Sequence, residues 1–213
     1  MKKELEKLKK DYQNRSIYKK NLPDDPIALM KLWMNEALEN DLFEPNAMAI
    51  ATVNDNRRTS LRIVLLKDFN SEGLVFYTNY NSRKAKDLED NPFISALFFW
   101  PVFERQIRVE GFVEKTKTEE SDTYFSGRPR ASQIGAWASP QSEKIDSRDE
   151  LDQKYLEIEQ KYQGKPIPRP PYWGGYRIKP AYFEFWQGRP GRMNDRIIFM
   201  KEGKRWRKER LAP

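Results

Sequence analysis

The sequence predicts a mainly β protein, a largely antiparallel barrel with flanking helices. Three observations predict it. Five short segments between residues 47 and 115 are rich in β-branched and aromatic residues, turn-forming runs such as "NDN" and "NSEG" separate them, and strand patterns resume near the carboxyl end. With 213 residues the chain is long enough to bury a full core in one domain, and we expect a flexible arm over residues 1–22 and a single domain over 23–213.

The arm, "MKKELEKLKKDYQ" and onward, is charged and only weakly periodic. An amphipathic helix then begins at "DDPIALMKLWMNEALEN": Asp25 is the N-cap, Pro26 takes the first helical position, and Ile27, Met30, Trp33, Met34, Ala37 and Leu38 fall at helical spacing. The strands follow as "AMAIATV", "TSLRIVLLK", "GLVFYTN", "FISALFFW" and "RQIRVEGFVEK". One helix starts at Ser82 and stops before Pro92; another starts at Ser147, where Glu150 completes a capping box. "GKPIPRPPYWGG" reads as an extended connector, after which "YRIKPAYFEFWQ" is a strand, "GRPG" a turn and "WRKERLAP" a closing strand. If "QGRPGRMNDRIIFM" is extended throughout, Arg192, Asn194 and Arg196 share one face, and a face with two guanidinium groups wants an anion.

Composition narrows the chemistry. Lys plus Arg is 39 against 32 for Asp plus Glu, a net charge of +7 that favours phosphorylated or otherwise acidic ligands. Cysteine and histidine are both absent, which removes cysteine and histidine metal sites, thiol nucleophiles, Ser-His-Asp triads and imidazole acid–base work. No metal is expected, and redox chemistry would need a bound organic cofactor. The amino terminus lacks the apolar core of a signal peptide, and "FISALFFWPVF" is too short and too interrupted to span a bilayer, so the default reading is a cytoplasmic protein without membrane partners.

Neither GxGxxG after a strand nor GxxxxGK[ST] is present, so phosphate binding must be built otherwise. "RIVLLK" puts Arg62 and Lys67 at its two ends. Ser82, Arg83 and Lys84 open a helix whose free N–H groups favour anions, although cations on a first turn are equally ordinary as solvated surface. Tyr124, Arg128 and Ser132 are spaced four and four. Pro129 breaks any single helix there, so Ser132 is expected to return by a turn. A phenol, a guanidinium and a hydroxyl of this kind suit a phosphate monoester. Gln141 and Ser142 are ordinary loop residues by themselves. Trp100, Trp173 and Trp186 read as core more readily than as a stacking platform.

The segments "RIVLLK", "FYTNYNSRKAKDLEDNP", "ERQIRVEG", "YFSGRPRASQIGAWASPQS", "WGGYRIKP", "EFWQGRPGRMNDR" and "RLAP" together resemble the pyridoxamine 5'-phosphate oxidase family, in order and over nearly the whole chain from residue 23. The resemblance implies an FMN-binding split β-barrel and a homodimer with FMN at the subunit interface. The implied activity is oxidation of pyridoxamine or pyridoxine 5'-phosphate to pyridoxal 5'-phosphate, with dioxygen as acceptor and hydrogen peroxide as co-product. Carried over by position, the family's flavin contacts fall on Arg62, Ile63, Val64, Leu65, Leu66 and Lys67, on Tyr77 and Thr78, on Arg83 and Lys84, and on Gln106, Gln141, Ser142, Trp186 and Arg196. Its substrate-phosphate contacts fall on Lys67, Tyr124, Arg128 and Ser132. Arg192 and Asn194 occupy the positions that meet the reacting end of the substrate, so they are the candidate catalytic pair.

Two departures stand out. The family pattern Arg-Leu-His-Asp-Arg is here Arg192-Met193-Asn194-Asp195-Arg196. The Arg and Tyr that close over the substrate from the amino terminus correspond to Lys9 and Tyr12, and Lys keeps the charge without the planar fork. The Asn194 change motivates one alternative, a split-barrel flavoprotein with another substrate. From other classes come a basic nucleic-acid-binding module, consistent with +7 charge and 13% aromatic residues, and a non-enzymatic pyridoxal phosphate carrier. The motif run favours the oxidase, with B6-vitamer phosphates and dioxygen rather than nucleic acid as partners.

Overall fold

The computed structural model describes Glu4, Tyr12, Ile17 and residues 22–213. Most of the expected flexible arm, Lys9 included, lies outside the described residues. Among these residues there are nine strands and five α-helices. The strands are β1 (Ala47–Val53), β2 (Thr59–Leu65), β3 (Asp68–Asn70), β4 (Gly73–Asn79), β5 (Phe93–Trp100), β6 (Arg105–Lys115), β7 (Trp173–Gln187), β8 (Asp195–Glu202) and β9 (Arg205–Leu211). The helices are α1 (Pro26–Glu39), α2 (Arg83–Asp90), α3 (Thr118–Ser126), α4 (Arg130–Ala138) and α5 (Arg148–Lys161). The strands form a sheet of hydrogen-bonded order β2-β1-β5-β6-β7-β4-β3, with β8 on β7 and β9 on β8.

β7 is long and pairs with three strands, β6, β4 and β8. Its first part pairs antiparallel with β4, from Asn79↔Trp173 to Leu74↔Ile178, and its second part with β8, from Tyr182↔Met200 to Gln187↔Asp195. Pro180, which has no N–H to donate, falls between the two registers. Gly73 opens β4 with φ of +137°, and a Cβ there would lie 2.1 Å from the Ile178 carbonyl oxygen, so only glycine fits.

The chain divides into two compact units. The first comprises residues 1–49, 95–110 and 180–213. Its α1 starts as the sequence implies: Asp25 caps the helix by accepting from the Ile27 N–H at 3.0 Å, and Pro26 sits in the first turn. The 3.6-residue period then buries Leu29, Met30, Trp33, Met34 and Ala37. Trp33 meets Phe185 edge to face at 5.2 Å, and Phe183, Ile197 and Phe199 complete a fully buried core. Arg105 lies over Trp33 and is paired with Glu36 at 2.6 Å and with Gln187 at 2.8 Å.

The second unit comprises residues 50–94 and 111–179. β4 is buried almost throughout, as expected for a strand flanked on both sides. A separate cluster of Phe125, Ile134, Ile167 and Trp173 supports α3 and α4. The break between these helices is the one Pro129 predicts, but its consequence differs. Ser132 lies in the first turn of a second helix rather than in a turn, because Pro129 is tolerated just ahead of a helix start. The buried Gln133 amide fixes the corner by donating to the Phe125 and Ser126 carbonyls at 2.9 and 3.1 Å. α5 keeps its expected cap, with Ser147 Oγ accepting from the Glu150 N–H at 3.2 Å.

Candidate active site

The second unit contains a cavity of about 690 Å³ lined from β2, β4, α2, α3 and α4. The β2 end supplies Ile63, Val64 and Leu65; Lys67 follows the strand, its backbone N–H donating to Val75 O at 2.8 Å, so it does not close the same strand as Arg62. Leu66 between them is buried. β4 supplies Tyr77 and Thr78, α2 supplies Lys84, and Gln141 comes from the loop after α4. Tyr124, Arg128 and Ser132 line the same wall, so all four residues expected to meet a substrate phosphate, Lys67 included, open onto one cavity.

Two cationic centres differ in their partners. The Lys84 ammonium donates to three neutral oxygens: Thr78 Oγ1 at 2.9 Å, Ser82 Oγ at 3.1 Å and Gln141 Oε1 at 2.8 Å. Ser82 is the α2 N-cap by position, yet its side chain makes no capping bond and serves Lys84 instead. Burial, reinforced by the nearby Arg62 charge, lowers the Lys84 pKa to about 8. Arg128 is the second centre. Its guanidinium lies 4.6 Å over the Trp173 ring, burial lowers its pKa, and its Nη1 is buried with no hydrogen-bond partner. An unpaired buried donor of this kind costs about 1–3 kcal/mol, which an anion in the cavity would recover.

An aromatic stack lines the same cavity. Tyr77 and Tyr124 are parallel at 3.9 Å, and Tyr77 and Trp173 at 5.5 Å. Burial, with a smaller push from Glu120, raises the Tyr77 pKa to about 12, so its phenol stays protonated at neutral pH. Gly175 is required beside it, since a Cβ there would lie 2.9 Å from the Tyr77 ring and 2.6 Å from Thr116 Oγ1. Sequence reasoning missed Trp173 as a cavity residue and read it as core. It is both, 6% exposed and still part of the wall. Thr123 was also missed, having no chemical signal of its own.

Two further cations that the sequence singles out, Arg62 and Arg83, do not line the cavity, although the Arg62 charge acts on Lys84. Arg62 donates to Thr52 Oγ1 at 2.8 Å and to Ser60 Oγ at 2.7 Å. Arg83 is exposed on the first turn of α2, and Ser142 is exposed in a left-handed conformation, φ +73°.

Gln106, Trp186, Arg192, Asn194 and Arg196 belong to the first unit. Arg196 is on β8 and is held by Glu184 through two bonds of 2.7 and 3.1 Å, with a third bond to the Ala212 carbonyl at 3.1 Å. Trp186 is half-buried and meets the Tyr12 ring edge to face at 5.6 Å; Gln106 is half-buried on β6. The turn expected at "GRPG" is present, and it rules out the alternative in which the segment is extended throughout. Pro190–Arg192 is a 3-10 turn with Gly191 and Arg192 both left-handed, at φ +64° and +59°, and β8 begins only at Asp195. The "RPG" run turns the chain, so alternation does not carry Arg192 and Asn194 onto the Arg196 face. Asn194 Oδ1 closes the turn by accepting from the Arg189 N–H at 3.1 Å.

The comparison with known proteins decides the family. The profile described as "Pyridoxamine 5'-phosphate oxidase" matches residues 34–162, more than half of the chain. This chain belongs to the pyridoxamine 5'-phosphate oxidase family. A second profile, "Pyridoxine 5'-phosphate oxidase C-terminal dimerisation region", matches residues 173–213. The chain is 49% identical over 210 residues to the pyridoxine/pyridoxamine 5'-phosphate oxidase of Rubrobacter xylanophilus, covering 99% of this chain and 97% of that one. It is 48% identical to the protein of the same name from Cytophaga hutchinsonii, over the full length of both. Among crystal structures it is similar to PhzG of Burkholderia lata 383 in complex with tetrahydrophenazine-1-carboxylic acid, with a TM-score of 0.88 and 29% identity over 94% of this chain and 99% of that one. The oxidase-related FMN-binding protein of Nostoc punctiforme has the same fold, at a TM-score of 0.69 and 16% identity over 89% of this chain and 98% of that one. The fold is therefore the split barrel, as the sequence implies. Among the described residues no helix is long and apolar enough to cross a membrane, and no group of acidic side chains is arranged to hold a metal.

Proposed function

We propose that this protein is an FMN-dependent oxidase that converts pyridoxamine and pyridoxine 5'-phosphates to pyridoxal 5'-phosphate. The observation that carries the reading is the cavity with two separate desolvated cations, Lys84 among neutral oxygens and Arg128 with a buried, unpartnered Nη1. Two phosphorylated ligands, cofactor and substrate, need two such centres. Full-length relatives named for this activity support the same conclusion.

On this reading Arg62, Arg83, Lys84, Thr78, Gln141 and Ser142 would hold the FMN phosphate side, and the run from Ile63 to Lys67, with Tyr77, would contact the cofactor. Gln106, Trp186 and Arg196 are the further cofactor contacts. Lys67, Tyr124, Arg128 and Ser132 take the substrate phosphate. FMN, when bound, supplies the two-electron acceptor, and dioxygen is the final oxidant, giving hydrogen peroxide; with the amine substrate, water supplies the aldehyde oxygen and the nitrogen leaves as ammonia. The protein's part is to orient two ligands and exclude water between them. Tyr77, protonated at neutral pH, donates a hydrogen bond without adding charge to a site that holds two anions. Arg192 and Asn194 are assigned to the reacting end of the substrate, with Lys9 and Tyr12 closing over it. The Tyr12 ring lies against Gly188, where a Cβ would come within 2.7 Å of it.

The protein acts as a homodimer in this account. The matched dimerisation region supports it, and the second unit exposes Leu61, Ile63, Phe93 and Phe112, apolar side chains that a partner subunit would cover. A cytoplasmic location belongs to the same proposal, since phosphorylated vitamers do not cross membranes unaided. The test is direct: purified protein supplied with FMN and either pyridoxamine or pyridoxine 5'-phosphate in air should form the aldehyde, which is read by its visible absorbance. FMN binding without aldehyde formation from either compound would favour a flavoprotein with another substrate. A protein that takes up no FMN and retains RNA in a salt-dependent way would favour the nucleic-acid reading.

A further inference from the structure

We infer that Thr52 and Asp87 are positioning residues for cofactor binding: together they hold the Arg62 guanidinium where it meets the FMN phosphate side. The inference rests on the FMN reading above and goes beyond it, because neither residue is among the family's ligand contacts. Thr52 on β1 has no exposed surface, and Asp87 on the inward face of α2 is 5% exposed. The Thr52 hydroxyl donates to Asp87 Oδ2 at 2.6 Å and accepts from Arg62 Nη1 at 2.8 Å. Its single proton goes to the carboxylate, so a lone pair must face the guanidinium, and the direction of the chain is fixed. Arg62 Nη2 is pinned separately by Ser60 Oγ at 2.7 Å and stands 3.8 Å from Asp87 Oδ2, at the limit of a direct ion pair.

The arrangement answers an electrostatic problem. Arg62, Arg83 and Lys84 are three like charges set close together: burial lowers the pKa of Arg62 and of Lys84, and the Arg83 charge adds to the first shift as the Arg62 charge adds to the second. Left alone, a long arginine beside two cations would swing to water. Asp87 supplies the compensating charge from the buried side, and its presence raises the Arg62 pKa against the effect of burial. Thr52, interposed between them, stops the carboxylate from drawing the guanidinium into direct contact. Arg62 is thereby anchored on one side and keeps donor capacity on the other. Asp87 also ties this anchor to the helix that carries Lys84, so the two cations keep a fixed spacing. A buried carboxylate with a buried hydroxyl partner is costly to maintain unless its charge is used.

Thr52→Val removes the hydroxyl at nearly constant shape and leaves every charge in place. Arg62 Nη1 then loses its acceptor and Asp87 Oδ2 its donor, and the guanidinium is no longer held toward the ligand. FMN affinity, read by quenching of flavin fluorescence on the full-length protein, should weaken about tenfold or more, the loss of one well-placed charge-assisted hydrogen bond. The substrate KM at saturating FMN should stay within about twofold of wild type, because Arg128 and its neighbours are untouched. Thr52→Ser, which restores the hydroxyl, should bring the FMN affinity back; a merely structural threonine would not be rescued in this way. Thr52→Ala gives the same reading if the valine variant does not fold. If wild type binds FMN and the valine variant binds it equally well, or if serine and valine weaken it alike, this inference is overturned while the function stands. A wild-type protein that does not bind FMN at all overturns the cofactor reading and this inference with it.

Discussion

Raising the pH should weaken FMN binding through Lys84 in a narrow window. Its ammonium is desolvated beside Arg62, which lowers its pKa to about 8 in the ligand-free protein. A phosphate monoester has its second pKa at about 6, so the ligand's phosphate charge is constant above neutrality and Lys84 is the group that changes. The protonated fraction falls from about nine-tenths at pH 7 to about one-tenth at pH 9, so the FMN Kd should rise about tenfold across that interval. Equilibrium titration by flavin fluorescence at constant ionic strength measures this. Lys84→Arg, which stays charged throughout, should give a flat profile over the same range. The folded-state pKa is depressed, so the unfolded chain binds more protons between about pH 8 and the ordinary lysine value, and apoprotein stability should gain from this group as pH rises through that window. A wild-type Kd that is unchanged from pH 7 to pH 9 would refute the reasoning, because Lys84 would then not be facing the phosphate.

Other outcomes separate the remaining parts of the site. Arg128→Ala should raise the substrate KM by the equivalent of about 1.5–3 kcal/mol while FMN affinity holds, and equal losses for both ligands would remove the two-centre assignment. Gln133→Leu should destabilise the fold by about 1–3 kcal/mol by freeing the Phe125 and Ser126 carbonyls, as read in denaturant unfolding, and should raise the substrate KM by loosening the corner that carries Arg128. Asn194→His can keep the Arg189 contact through Nδ1 and present Nε2 to the substrate, so kcat/KM should rise about tenfold with a new pH limb near neutrality. No change in rate or profile would take position 194 out of the substrate site. Dilution to the monomer should release FMN, measured by fluorescence against sedimentation; retention at monomer concentrations would place the cofactor within one subunit.

What the sequence made legible was local or repeated. Asp25 and Pro26 announce α1, Ser147 and Glu150 announce α5, and alternating β-branched residues announce the strands, because each signal depends only on neighbours within a turn or two. The cavity wall was legible through motif order, since Lys67, Tyr77, Lys84, Tyr124 and Arg128 fall in segments that resemble one family. Less legible was whatever depends on distant residues. The turn at "GRPG" was legible from Pro190 and Gly191, but its continuation through a left-handed Arg192, which overrides the alternation of an extended strand, was not. Trp173 reads as core because burial and cavity lining use the same aromatic surface. Thr52 and Asp87 are 35 positions apart and carry no motif, so only the folded chain brings the hydroxyl to the carboxylate.

The central claim is tested most directly by oxygen uptake and aldehyde formation recorded together on FMN-reconstituted protein, with pyridoxamine and pyridoxine 5'-phosphates side by side. The account predicts FMN-dependent uptake with at least one of the two, close to one dioxygen consumed for each aldehyde formed. Protein that carries FMN yet consumes no oxygen and forms no aldehyde with either compound would contradict it.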